Sequence, residues 1–177
     1  MKTYNIKEKI KEYFFMNPTA KLRVRQIERE MKLPLPSVIR YCKELEKEEI
    51  LKKESISGVS AYSADRASKK FLLAKRLFNI KLIFESGLMD YIIKGYFNPV
   101  IVLFGSFSKG EDIEDSDIDL YIETQKKQEF NLQKFEKILN RKVQVFNFRN
   151  IGEVSNHHLS NNIINGVTLN NFLEAFR

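Results

Sequence analysis

The second half of this 177-residue chain takes its fold from a stretch that reads Phe104-Gly105-Ser106-Phe107-Ser108-Lys109-Gly110, then an acidic loop, then Ser116-Asp117-Ile118-Asp119-Leu120. The apolar run just before Gly105 predicts a buried strand. Gly105 lets the backbone turn tightly after that strand. Asp117 and Asp119 lie two residues apart on a second predicted strand, so both carboxylates should project from the same face.

This pattern predicts phosphate chemistry. Two carboxylates held close together repel each other, and a divalent cation is the usual remedy. Ser106 can offer a hydroxyl and an amide N–H to a phosphate group, and Lys109 could reach the same phosphate or remain a solvated surface lysine. Together these parts suit phosphoryl or nucleotidyl transfer. A calcium loop is excluded, because Leu120 and Lys126 stand where that loop needs glycine and glutamate.

The segment resembles the polymerase-β-like nucleotidyltransferase superfamily, whose pattern is Gly-Ser, ten residues, then Asp-x-Asp; residues 107–116 are the ten here. The added Gly110 and the Ser-Asp-Ile-Asp-Leu sequence are similar to its minimal nucleotidyltransferase branch, which includes antitoxin-type proteins. The resemblance implies that Gly105 and Ser106 hold the triphosphate of ATP. It also implies that Asp117 and Asp119, the catalytic acids, bind Mg²⁺ or Mn²⁺.

The chain departs from the family at the third acidic position. Active members carry a carboxylate on a later strand, whereas this chain reads Arg141-Lys142-Val143-Gln144-Val145. A glutamine cannot take a proton from the acceptor or supply a charged metal ligand. Three interpretations stay open: catalysis with two carboxylates, an acid supplied from elsewhere, or nucleotide binding alone. The nearby acids Glu111, Asp112, Glu114 and Asp115 read as a solvated loop.

The first 66 residues show a different pattern. Apolar residues at helical spacing predict a helix over residues 5–16, a short helix around Ile27 and Met31, and a third helix from Pro36 to about Glu49. A short extended segment lies at residues 21–24, and a two-stranded ribbon with a Ser57-Gly58 turn follows the third helix. This order resembles the winged helix-turn-helix domain.

In that family the third helix enters the DNA major groove and the hairpin touches the backbone. Carried over, the resemblance implies DNA contacts by Ser37, Arg40, Lys43, Lys52 and Lys53. The alternatives are a small helical domain with solvated basic residues, or a dimerisation module. Four acidic residues reduce the net positive charge at the end of the third helix: Glu44, Glu46, Glu48 and Glu49.

The remaining pattern completes an α+β fold class. Residues 67–96 predict a linker helix broken at Ser86-Gly87. The C-terminal half predicts strands at Val100–Phe104, 120–123 and Val143–Phe148, with helices at 130–139 and 157–175. We therefore expect three parts: a winged helix-turn-helix over 1–66, the linker helix over 67–96, and a minimal nucleotidyltransferase domain with a small mixed sheet over 97–177.

Composition limits the compartment and the partners. Residues 1–66 carry a net charge of +5, residues 67–98 of +4 and residues 99–177 of −2. This distribution favours an N-terminal part that binds anions and a C-terminal part whose functional site uses carboxylates. Cys42 is the single cysteine, which excludes an internal disulfide framework and suits the cytoplasm. No apolar run is long enough to span a membrane, so no membrane partner is expected.

Two functions of different classes remain. The first is a magnesium-dependent nucleotidyltransferase that transfers AMP from ATP to a protein or other hydroxyl, with a DNA-binding front and, by resemblance, a HEPN-type toxin partner. The second is a catalytically weak or inactive nucleotide-binding regulator or antitoxin. A homodimer is compatible with either function.

Overall fold

The computed structural model describes residues 5–56, 58–126 and 130–175, which divide into two compact units, Met1–Phe78 and Asn79–Arg177. The division falls within one long helix. Ser57 of the predicted turn lies outside the described residues. The expected limits of 1–66, 67–96 and 97–177 stay predictions. No helix of the described chain has the length and apolar character needed to cross a membrane.

The first unit contains three helices followed by a hairpin. Its elements are α1 (Ile6–Met16), β1 (Lys21–Leu22), α2 (Val24–Met31), α3 (Leu35–Lys47), β2 (Leu51–Ile56), β3 (Val59–Ala64) and the first part of α4 (Lys69–Glu85). The strands form an antiparallel sheet in the order β1-β3-β2. The predicted helices and ribbon are present, whereas the winged helix-turn-helix assignment stays a prediction.

Local sequence explains where these helices begin and end. The Asn5 side chain accepts hydrogen bonds from the N–H groups of Lys7 and Glu8, and so caps α1. Pro36 lies in the first turn of α3, where its missing N–H costs nothing. Cys42 is fully buried in the core of this unit, and burial raises the pKa of its thiol to about 12.

The second unit is built on a four-stranded sheet. It contains the rest of α4, α5 (Leu88–Tyr96), β4 (Val100–Phe104), α6 (Gly105–Lys109), β5 (Ile118–Glu123), α7 (Gln133–Leu139), β6 (Val143–Phe148), a 3-10 turn (Ile151–Glu153), α8 (His157–Ile164) and β7 (Val167–Asn170). The strand order is β6-β5-β4-β7, in which β5 and β6 are parallel and the other pairs antiparallel. The small mixed sheet is as expected.

The predicted helix over residues 157–175 is wrong in its second half. The helix ends at Ile164, and Val167–Asn170 form β7 on the edge of β4. A Cβ atom at Gly166 would lie 2.6 Å from the carbonyl oxygen of Leu103, so only glycine permits this approach. The pairing with β4 is a tertiary contact, which periodicity in the chain segment does not reveal.

Two hydrophobic clusters cover the two faces of this sheet. Alternation along β5 places Ile118, Leu120 and Ile122 in one cluster, with α5 and α7. The opposite face carries Tyr121, which packs in the second cluster near α8. Asp119 shares the face of Tyr121 because successive strand residues alternate. The acids therefore emerge at the end of a rigid, buried strand.

Candidate active site

The bend at Gly105 lies directly against Asp119. Gly105 has a φ of +73°, in the left-handed region that favours glycine. A Cβ atom built on Gly105 would lie 2.3 Å from Asp119 Oδ2, so a side chain at Gly105 would displace that carboxylate. In the antiparallel register of β4 and β5, Phe104 is paired with Asp119. The chain therefore brings the bend and the second aspartate together.

Asp117 does not lie on a strand as expected, because β5 begins one residue later, at Ile118. Its carboxylate nevertheless remains near that of Asp119. Burial raises the pKa of the Asp119 carboxyl, and the negative charge of Asp117 raises it further. Both side chains are half-buried. This is the electrostatic strain that a bound cation would relieve.

Gln144 completes the group of polar side chains. It pairs with Asp119 in the parallel register of β5 and β6, and its Nε2 donates a hydrogen bond of 2.5 Å to Asp117 Oδ2. The position at which the resemblance implies a third acid is therefore in contact with the aspartates. Its occupant supplies a neutral amide and no charge.

The donor set fits a divalent cation with two carboxylates. Asp117 and Asp119 offer the oxygen ligands that Mg²⁺ prefers. Within residues 5–56, 58–126 and 130–175, no three His, Cys, Asp or Glu side chains gather where they could hold a metal. A cation held here would therefore keep several ligands from water or from phosphate oxygens, as is usual for Mg²⁺.

The turn of α6 is held by side-chain hydrogen bonds that were not predicted from the sequence. Ser108 is buried, and its Oγ donates to the carbonyl oxygen of Gly105 at 2.8 Å. Asn79 Nδ2 donates to the Phe107 carbonyl oxygen at 2.9 Å and to Asp112 Oδ1 at 2.7 Å. Asp112 is only 1% exposed, so its interpretation as a solvated loop residue is wrong. The one sequence signal was a polar Asn79 between the apolar residues Phe78 and Ile80.

The two other predicted phosphate-binding residues lie on α6. Ser106 is half-buried in its first turn, and Lys109 is exposed at its end. Neither residue's role is tested by its position alone.

A second candidate site, for nucleic acid, lies on α3 and the hairpin. Arg40 and Lys43 are exposed on α3, and Ser37 is half-buried near its start. The Arg40 guanidinium stacks over the Tyr41 ring at 4.4 Å and lies 3.8 Å from Glu44. Stacking limits the rotamers available to this arginine and leaves its charge exposed.

The hairpin lysines differ from each other. Lys52 Nζ lies 3.1 Å from Glu54 Oε1, and Lys21 lies 2.8 Å from the other oxygen of that carboxylate. These hydrogen bonds, first from Lys21, then from Lys52 and Ser63, lower the pKa of Glu54 to about 2. Lys53 is exposed. Exposed ion pairs such as that of Lys52 contribute little and can exchange partners.

The four acids at the end of α3 are engaged within their own unit. Lys7 lies 3.5 Å from Glu44 and 2.5 Å from Glu48. The Tyr62 hydroxyl donates to Glu46 at 3.4 Å, and Lys70 lies 2.7 Å from Glu49. These contacts offset the negative charge of the four glutamates, which argued against DNA binding by α3.

Comparison with known proteins bears on the second unit. A family model described as "Polymerase beta, Nucleotidyltransferase" matches residues 90–169, somewhat less than half of the chain. No curated protein and no solved structure matches the chain. The matched segment contains Gly105, Asp117, Asp119 and Gln144. The match therefore supports placing residues 90–169 in the polymerase-β-like nucleotidyltransferase superfamily.

Proposed function

We propose that this protein is a magnesium-dependent nucleotidyltransferase that transfers AMP from ATP to a hydroxyl group of a protein or another acceptor. The observation that carries this proposal is the approach of the Gly105 bend to Asp119, with Asp117 and Gln144 alongside. A tight bend beside paired carboxylates suits a triphosphate whose charge is shared with a cation.

In the proposed reaction, the acceptor oxygen forms a bond to the α-phosphorus of ATP and the α–β phosphoanhydride bond breaks. Pyrophosphate leaves, and the hydroxyl proton passes to solvent. Mg²⁺ or Mn²⁺, when bound, would neutralise phosphate charge as a Lewis acid. Asp117 and Asp119 would hold the cation, and Gly105 and Ser106 would position the phosphates through backbone N–H groups. Lys109 is proposed to contact the same phosphates.

The test of this function follows the α-phosphate and the γ-phosphate of ATP separately. Purified protein is incubated with Mg²⁺ and ATP labelled on the α- or the γ-phosphate, together with candidate acceptors. We expect the α-label to move to the acceptor and the γ-label to appear in pyrophosphate. Release of inorganic phosphate with no α-label transfer would contradict the proposal. Among protein acceptors, the resemblance to antitoxin-type proteins favours a HEPN-type toxin.

A second candidate is a nucleotide-binding regulator with little or no catalysis. One observation favours it: the position of the third acid is filled by Gln144, whose amide bonds Asp117. Nucleotide binding without transfer to any acceptor would support this alternative.

Gln144→Asp tests whether this position is that of the missing acid. A third carboxylate beside Asp117 and Asp119 would add repulsion without metal and a ligand with it. We expect a lower melting temperature in a chelator, a larger rise on adding Mg²⁺, and a transfer rate increased by roughly tenfold or more. Gln144→Ala is the control, because it removes the hydrogen bond without adding charge. Equal Mg²⁺ responses in the two variants would show that this position is not the missing acid.

The first unit is proposed to bind DNA through α3 and the hairpin. Pairing of Glu44, Glu46, Glu48 and Glu49 within the unit supports this, because it offsets their charge while Arg40, Lys43 and Lys47 stay exposed on α3. Binding that depends on phosphate contacts weakens steeply as salt is raised.

We expect Arg40→Ala/Lys43→Ala to weaken DNA binding by about tenfold or more at low salt and to flatten the salt dependence. Lys11→Ala is the control, since it also removes a cation of this unit but one that pairs with Glu8 at 2.7 Å. Fluorescence anisotropy with a labelled duplex measures both quantities. Equal losses in the two proteins would count against α3 as the contact surface.

A further inference from the structure

A cleft of about 860 Å³ opens beside Asp117, on the second unit. Part of its lining comes from the loop before β5, which supplies Glu114, Asp115 and Asp117. The rest comes from α7 and the turn before β6, which supply Lys137, Arg141 and Lys142. Among the described residues, the lining includes Asp117 but not Gly105, Ser106 or Asp119. The cleft therefore adjoins the proposed site through Asp117, and the Gly105 bend is not part of its lining.

The chemistry of the lining limits what the cleft can take. Every described residue that lines it is polar or charged, so an apolar ligand is disfavoured. A volume of this size is typical of sites for small organic ligands. The cleft therefore suits a hydrophilic molecule larger than a bare ion.

The described lining carries four acids and three cations, and two of the cations, Lys137 and Lys142, lie on the surface. In the described part of the chain, neither Lys137 nor Lys142 takes part in a salt bridge, and both are exposed. By contrast, Glu136 Oε1 accepts a hydrogen bond from Val143 N at 3.0 Å, and Asp117 accepts one from Gln144. Two lysines without a carboxylate partner, close to an arginine, form the kind of surface that binds phosphate.

The arginine is held in place by its own turn. Arg141 is 6% exposed, and its Nη1 donates to the Asn140 carbonyl oxygen at 2.9 Å. Its backbone N donates to the Glu136 carbonyl oxygen at 3.2 Å. These contacts hold the turn that places Lys142 in the lining of the cleft.

From this arrangement we infer that the cleft is the acceptor subsite, and that it selects a hydroxyl compound bearing a phosphate group. The phosphate would lie at Lys137 and Lys142, and the hydroxyl would face Asp117. This inference rests on the proposed nucleotidyl transfer and narrows its acceptor. In the reaction, the acceptor hydroxyl oxygen forms the new bond to the α-phosphorus, its proton goes to solvent, and pyrophosphate leaves from the bend.

The binding test uses ribose 5-phosphate and ribose as probes on the ¹⁵N-labelled full-length protein. We expect ribose 5-phosphate to shift amide signals of residues 114–117 and 137–142, and ribose to bind at least tenfold more weakly. Lys137→Ala/Lys142→Ala should weaken binding of ribose 5-phosphate at least tenfold. Lys126→Ala/Lys134→Ala removes the same charge outside the cleft and should change it less than twofold.

Three results would overturn the inference: equal affinity for ribose and ribose 5-phosphate, signal shifts confined to residues 105–110, or competition by an ATP analogue for the cleft. The transfer reaction is followed separately. If ribose 5-phosphate binds the cleft but no α-label is transferred, the proposed function is wrong. If the Lys137→Ala/Lys142→Ala protein retains full transfer, only the subsite inference is wrong.

Discussion

Asp117→Asn/Asp119→Asn should lower AMP transfer by at least about a thousandfold, because it removes both carboxylates that would hold the cation. The amides keep the size of the side chains, lose their charge and replace one acceptor oxygen by an NH₂ donor. The measurement is α-label transfer at saturating ATP and Mg²⁺. Transfer that survives the double substitution would mean that the chemistry takes place elsewhere.

The fold should survive this change. Burial and the charge of Asp117 raise the pKa of the Asp119 carboxyl, so its ionised form at neutral pH opposes folding. Replacing it with a neutral amide removes that cost. We therefore expect a melting temperature equal to or above that of the parent protein in a chelator, and no rise on adding Mg²⁺. A fall in melting temperature would show that lost transfer reflects damage to the fold.

The second large effect is expected at the bend. Gly105→Ala should lower AMP transfer by about a hundredfold or more, because misplacing a reacting group or its ligand by about an ångström is enough for such a loss. The new Cβ atom would meet Asp119 Oδ2 at 2.3 Å and Asp119 Cγ at 3.3 Å, so the carboxylate must move. Weaker Mg²⁺ binding, measured by calorimetry, should accompany the loss.

Backbone strain is separated from this clash by a control in the same unit. Gly87 has a φ of +79°, close to that of Gly105, and a Cβ atom there would meet nothing within 4 Å. Gly87→Ala therefore carries a similar left-handed penalty of about 1–2 kcal/mol without disturbing Asp119. We expect it to lower stability and to leave the transfer rate nearly unchanged. If both alanine variants lost transfer equally, contact with Asp119 would not be the cause.

Local elements were largely predictable from sequence because their signals are local. Helical spacing of apolar residues predicted α1 and α3, and the bend at Gly105 followed from a glycine directly after a buried strand. The strand Val143–Phe148 was predicted at its observed limits. β7 was missed, because its partner β4 lies more than sixty residues earlier in the chain.

The candidate site was predictable in its residue types and less so in its contacts. The spacing of Gly105, Asp117 and Asp119 predicted a phosphate and metal site, and the resemblance pointed to position 144 for a further acid. Their proximity to one another is visible only in the folded chain, as is the hydrogen bond from Gln144 to Asp117. The binding roles of these residues stay predictions for the experiments above.

Charge was the property that sequence described least well. Glu44 and Glu49 appeared to weaken a basic helix, yet Lys7 and Lys70 pair with them from other elements. Asp112 appeared solvated, yet it is buried against Asn79. A side chain's charge belongs to its sequence position, whereas its effect depends on neighbours that folding brings near.

Sequence by itself determined the backbone turn at Gly105, the two-residue spacing of the aspartates and the approximate positions of most helices and strands. These depend on neighbouring residues and on the sterics of one glycine. Tertiary structure decided that Asp119 fills the space left by the missing Gly105 side chain and that β7 pairs with β4. It also decided that a polar cleft adjoins Asp117. These features join residues far apart in the chain, and only packing of the whole unit sets the distances between them.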